Sequence, residues 1–174
     1  MVLALLVTDL ARLAFPALRT YGFPLALGTV VCLLVYGYFN YIHPDINQLD
    51  ITLDKPISGK PMKVVAISDI HLGNGTRKPQ LKKFVEMINA QKPDLIVIGG
   101  DLIDNSLLPV YQQKMEEELN ALKAPMGIYM VPGNHEYISG MEECERFLAN
   151  TPIRLLRDTI VTLSNGLQII GRDD

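Results

Sequence analysis

The chain has 174 residues, a formal net charge of −3, an isoelectric point near 5.6 and a mean hydropathy of +0.18. That length holds one ordinary domain and an appendage, and the lack of a basic stripe argues against a nucleic-acid partner gripped through its phosphates. Cys32 and Cys144 lie far apart, the first inside an apolar run, so the sequence suggests neither a disulfide framework nor a CxxC metal site.

The hydropathy is uneven. The opening segment VLALLVTDLARLAF carries Asp9 and Arg12 three positions apart, close enough to pair on one helical face. Two readings of it stay open: an interfacial helix, or the tail of a longer span. From Tyr21 to Phe39 the sequence YGFPLALGTVVCLLVYGYF has no charged residue. Its length is about what a helix rising about 1.5 Å per residue needs to cross roughly 30 Å of hydrocarbon. Tyr21 and Phe23 stand at one end and Tyr36, Tyr38, Phe39 and Tyr41 at the other, where amphipathic rings favour the headgroup level. Residues 1–41 are therefore expected to be a membrane segment with its main span at 21–39, and the lipid bilayer to be a partner. A core helix of a soluble protein fits less well, because the domain that follows is too small to bury a span apolar all round. Arg12 and Arg19 precede the span, and no Lys or Arg follows until Lys55. The positive-inside rule then places the soluble domain on the extracytoplasmic side.

Residues 42–61 turn polar and proline-bearing, which predicts a juxtamembrane linker, with one short strand at DITLD. His43 reads as a solvated residue of that linker. From Met62 the pattern changes again. KVVAIS, LIVIGG and GIYMVPG are short apolar, β-branched runs bounded by turn formers, and predict buried strands. Between them QLKKFVEMINAQ and VYQQKMEEELNALKA space their apolar residues for one helix face each. Lys82, Lys83 and Glu116 to Glu118 fall on the solvated faces. A further helix, SGMEECERFLAN, leads to three late strand candidates, IRLL, TIVTLS and LQIIG. Strands alternating with helices predict an α/β domain built of right-handed βαβ units.

In such a sheet, functional groups gather just past the carboxyl ends of parallel strands. The three runs end in SDIH, GGDLID and GNHE, presenting Asp69 and His71, then Asp101, then Asn134 and His135. Carboxylate, imidazole and amide donors suit divalent manganese, zinc or iron. Asp101, behind a double glycine, is placed to bridge two cations, and Asn134 can coordinate without adding negative charge. Adjacent residues leaving a strand end point to different sides, so His135 is expected to face substrate while Asn134 faces metal.

The ordered blocks SDIHLG, GGDLID and GNHE resemble the calcineurin-like metallophosphoesterase superfamily over residues 62 to about 174. The resemblance implies the N-terminal half of a four-layer αββα sandwich, preceded here by a transmembrane helix. It implies a binuclear centre of two divalent ions, with Asp69 and His71 on the first metal, Asp101 on both and Asn134 on the second. His135 would protonate the leaving group or stabilise the transition state, with Asp104 and Glu136 orienting from behind. The implied reaction is in-line hydrolysis of a phosphoester or pyrophosphate bond. The family pattern continues with a lone histidine and a GHxH block, whereas the histidines here are His43, His71 and His135. The expectation is therefore a partial domain at 62–174, inactive alone and leaving apolar sheet face exposed, from a longer enzyme. A span followed closely by KVVAISDIHLG resembles the membrane-attached or exported bacterial branch, some of whose members cleave the lipid precursor UDP-diacylglucosamine. A membrane-tethered scaffold that kept the fold without catalysis is the alternative.

Overall fold

A computed structural model describes residues 2–15, 18–52 and 61–173, and the chain divides into two compact units, Met1–Thr52 and Leu53–Asp174. The first unit is helical: α1, Val2–Ala11, and α2, Leu18–Ile42. Its Thr20–Ile42 stretch, with mean hydropathy 1.8, is long and apolar enough to cross a membrane. The 10 described residues of α1 rise about 15 Å. Asp9 and Arg12 do pair, at 3.0 Å. Thr8, Gly22 and Ala26 are buried where α1 meets α2, and the guanidinium of Arg12 lies against Gly22, where any side chain would crowd it. Small residues at the contact let two helices approach closely in an apolar medium. Of the DITLD stretch, residues 50–52 have no regular structure and the rest lies outside the described residues.

The second unit is α/β. Four strands, β1 (Val64–Ile67), β2 (Leu95–Ile98), β3 (Ile128–Met130) and β4 (Ile153–Leu155), form one parallel sheet in the order β1-β2-β3-β4. The crossovers are α3 (Lys78–Ala90), the short pair α4 (Leu108–Gln112) and α5 (Glu116–Leu119), and α6 (Asn134–Ser139) with α7 (Met141–Leu148). An antiparallel hairpin closes the chain, β5 (Thr159–Thr162) with β6 (Gln168–Gly171), turning at the expected SNG, where Gly166 takes φ +87°.

Side chains alternate between the sheet's faces. Val65, Ile67, Ile96, Ile98, Ile128, Met130, Ile153 and Leu155 pack with Leu81, Val85, Val110, Met115, Phe147 and Leu148 of the helices into the main core. On the other face Leu95, Val97 and Tyr129 meet Leu156, Val161, Leu163 and Ile169 of the hairpin region. The hairpin covers only part of this face. A groove of about 450 Å³, lined by Ala66, Val97, Tyr129, Leu156 and Ile170 among others, lies open there.

Two expectations are corrected. The single helix over 110–124 is two short ones, because Lys114 adopts a left-handed φ of +50° that a continuing helix cannot hold. Among the described residues β1 stands at the edge of the sheet and is not buried, with Val64 and Ala66 exposed. The three late strand candidates all form, and IRLL joins the main sheet as β4, parallel to β3.

Candidate metal centre

The parallel order carries β1, β2 and β3 to one edge, and the loops past their carboxyl ends are joined there. The first two are joined by main chain. Asp69 N–H donates to Gly100 O at 3.2 Å, His71 N–H to Asp101 O at 3.0 Å and Leu72 N–H to Leu102 O at 2.8 Å, while Asp104 N–H returns to Leu72 O at 3.0 Å. The two loops continue the sheet pairing beyond the strands. To aim their side chains they leave β geometry: Asp69, His71 and Asp101 have φ of +56°, +49° and +53°. Left-handed backbone is uncommon outside glycine, tolerated best by Asn, Asp and His, and a strained backbone tends to persist where function uses it.

The third loop is joined by side chains. Glu136 is fully buried, and its carboxylate accepts Asp101 N–H at 2.9 Å, Ile103 N–H at 3.0 Å and Gly133 N–H at 2.8 Å. Asp101 in turn accepts His135 N–H at 3.0 Å through Oδ1. Glycine is required on both sides of this junction. A Cβ on Gly133 would lie 2.3 Å from Asp101 Oδ1, and one on Gly100, whose φ is +97°, 2.7 Å from Gly133 N.

Asn134 and His135 do not sit at a strand end. β3 stops at Met130, and after Val131–Gly133 the chain enters α6, of which they are the first two residues. They still diverge, because consecutive helical residues are about 100° apart. Asn134 is exposed; His135 is half-buried. His135 Nδ1 lies 3.4 Å from Asp104 Oδ1 and 3.3 Å from Asp104 O, and its ring meets His71 edge to face at 4.5 Å between centroids. With the proton on Nδ1 donated to Asp104, Nε2 is the atom left for proton transfer. Asp104 Oδ1 also lies 3.6 Å from His71 Nδ1.

Two donor groups result. Asp69, His71 and Asp101 offer atoms within 4.8 Å of one another, and so do His71, Asp104 and His135. The donor set fits a divalent cation: carboxylate and imidazole converge on strained, glycine-backed loops. Ser68 Oγ donates to Asp69 Oδ2, a partner the sequence reading missed. Also missed is a cluster beside α6 in which Arg157 reaches Glu145, Asp173 and Tyr137. Those residues are 12 to 20 positions from Arg157, beyond any local periodicity.

A parallel α/β sheet with Asp and His groups that could hold a metal ion gathered past its strand ends is the class of domain seen here. The family model for calcineurin-like phosphoesterases matches residues 62–171, and the chain belongs to that family. It is 34% identical over 151 residues to a protein from Helicobacter pylori named uncharacterized metallophosphoesterase, covering 84% of this chain and 40% of that protein. A similarly named protein of Aquifex aeolicus is 32% identical over 145 residues, covering 83% of this chain and 54% of that one. A Danio rerio protein named transmembrane protein with metallophosphoesterase domain is 36% identical over 115 residues, or 65% of this chain and 26% of that protein. The chain thus spans about half or less of the length of these relatives.

Proposed function

We propose that these loops belong to a phosphoesterase that hydrolyses phosphoester or pyrophosphate bonds with two divalent cations, manganese, zinc or iron. The convergence of Asp69, His71 and Asp101 within 4.8 Å on adjoining strand ends carries this reading. Asp69 and His71 hold the first cation, Asp101 both, and Asn134 the second. Bound cations of this kind polarise phosphoryl oxygens and make an attacking water more acidic. His135, with Nδ1 engaged by Asp104, delivers a proton to the leaving oxygen from Nε2. Glu136 fixes Asp101 and Asn134 relative to each other through the backbone. Tethering by α2 favours a substrate presented at a membrane, including lipid-linked phosphoesters, with the domain on the extracytoplasmic side.

The test uses the protein at the full length its gene encodes. Bis-p-nitrophenyl phosphate is hydrolysed with manganese and not in chelator, and Asp101→Asn loses more activity than Asp104→Asn. His135→Ala lowers turnover by about 10²- to 10⁴-fold, less for a leaving group as good as p-nitrophenolate. Full activity in chelator, or equal loss in both aspartate variants, overturns the reading. A reporter active only outside the cytoplasm, fused after Gly171, gives signal if the sidedness holds.

A further inference from the structure

α6 is six residues long and carries Asn134, His135 and Glu136 in its first turn. So short a helix has little stability of its own and depends on tertiary anchors. One anchor is Glu136. A second stands on another face. Tyr137 follows Asn134 by three positions, so the two are neighbours on one side of the helix, and fixing Tyr137 fixes the rotation that aims Asn134.

Tyr137 is fixed from outside. Its hydroxyl donates to Asp173 Oδ1 and accepts from Arg157 Nη2 at 3.4 Å, while the Arg157 guanidinium stands 5.9 Å from its ring centroid. Arg157 Nε donates to Asp173 Oδ2 at 3.0 Å and Nη1 to Glu145 Oε1 of α7 at 2.8 Å. Asp173, the largest influence on the Tyr137 phenol, pushes its pKa up, so the hydroxyl keeps the proton it donates. Arg157 follows β4 and Asp173 follows β6, and the two strand ends are pressed together: a Cβ on Gly171 would lie 2.2 Å from Leu156 Cβ. An isolated exposed ion pair contributes little. Here one planar guanidinium serves two carboxylates and a phenol at once, a geometry lysine cannot reproduce.

We infer that Arg157, with Asp173 and Tyr137, is a positioning device that anchors α6 to the β5–β6 hairpin and sets the aim of Asn134 toward the metal site. The inference rests on the proposed metal-binding role of Asn134. Its consequence is that the hairpin, which packs on the sheet face opposite the main core, acts on the centre through these side chains.

The test compares Tyr137→Phe, Arg157→Gln, Arg157→Lys and their parent in detergent micelles, with Arg146→Gln, which breaks an exposed pair to Glu142 on α7, as control. Amide hydrogen exchange is read without metal, and Mn2+ affinity by the resonance of the unbound ion. In Tyr137→Phe and Arg157→Gln, α6 amides exchange faster while β1 to β3 amides do not, and Mn2+ affinity falls by about tenfold, the low end for outer partners of metal ligands. Arg157→Lys recovers only part of the loss, a variant carrying both Tyr137→Phe and Arg157→Gln is no worse than Arg157→Gln alone, and the control matches the parent. Unchanged α6 exchange, or faster exchange spread equally over the sheet, overturns the anchor. Faster α6 exchange with unchanged Mn2+ affinity overturns the aiming of Asn134. If the parent takes up no Mn2+, the metal reading fails, while the exchange data still decide the anchor.

Discussion

The loops after β1 and β2 are held to each other by backbone, whereas the loop after β3 is held to them by side chains. Three amides of the first loop donate to carbonyls of the second, and these bonds use no side-chain atom. The third loop depends on one buried carboxylate, Glu136, and on glycines at positions 100 and 133 that let chains touch. The contrast teaches where substitution should be felt. Side chains in the first two loops can be spent on donors, because their main chain already fixes them. In the third loop the residue that positions is separate from the residues that face the site.

The largest expected effect follows from removing the third-loop tie. Glu136→Ala leaves three backbone amides without their acceptor, each costing about 1 to 3 kcal/mol if buried, so denaturant unfolding should show a loss on the order of 3 kcal/mol or more. Cys144, buried beneath α6 with its thiol pKa pushed up chiefly by burial, reports the same event. A raised thiol pKa disfavours thiolate in the folded state. Cys144 therefore resists alkylation in the native protein even as pH rises through the ordinary thiol range, and its labelling should accelerate in Glu136→Ala. A loss under about 1 kcal/mol with unchanged labelling would break the comparison.

Gly133→Ala should come next. Its Cβ must displace Asp101 Oδ1 from 2.3 Å, and such overpacking costs about 1 to 3 kcal/mol; thermal unfolding checks it. The smallest effect belongs to the backbone-held pair. Ser68→Ala removes the exposed hydroxyl that donates to Asp69, yet the loop keeps its ladder, so stability should stay within about 0.5 kcal/mol. A larger loss than that of Gly133→Ala would invert the contrast.

Much of this was legible in the chain. KVVAIS, LIVIGG and GIYMVPG became adjacent parallel strands, and Asp69, His71 and Asp101 lie close together past the first two. What stayed hidden depends on long-range geometry or on rare backbone states. Nothing in VYQQKMEEELNALKA marks Lys114 as left-handed, because its apolar spacing suits an unbroken helix and tertiary packing overrides it. GNHE reads as a strand end because its helix is too short to show a period. The Arg157 cluster joins residues that are neighbours only once β4 and the hairpin have folded.

The central claim is that Asp69, His71 and Asp101 bind a divalent cation while His135 stands beside it. Equilibrium Mn2+ binding to the chain and to its Asp101→Asn and His135→Ala variants tests this most directly. The account predicts uptake by the parent, loss in Asp101→Asn, and affinity within about threefold of the parent in His135→Ala, since a proton donor adds no ligand. Binding that survives Asp101→Asn, or that His135→Ala abolishes as fully, would contradict it and make the His71, Asp104 and His135 group the metal site instead.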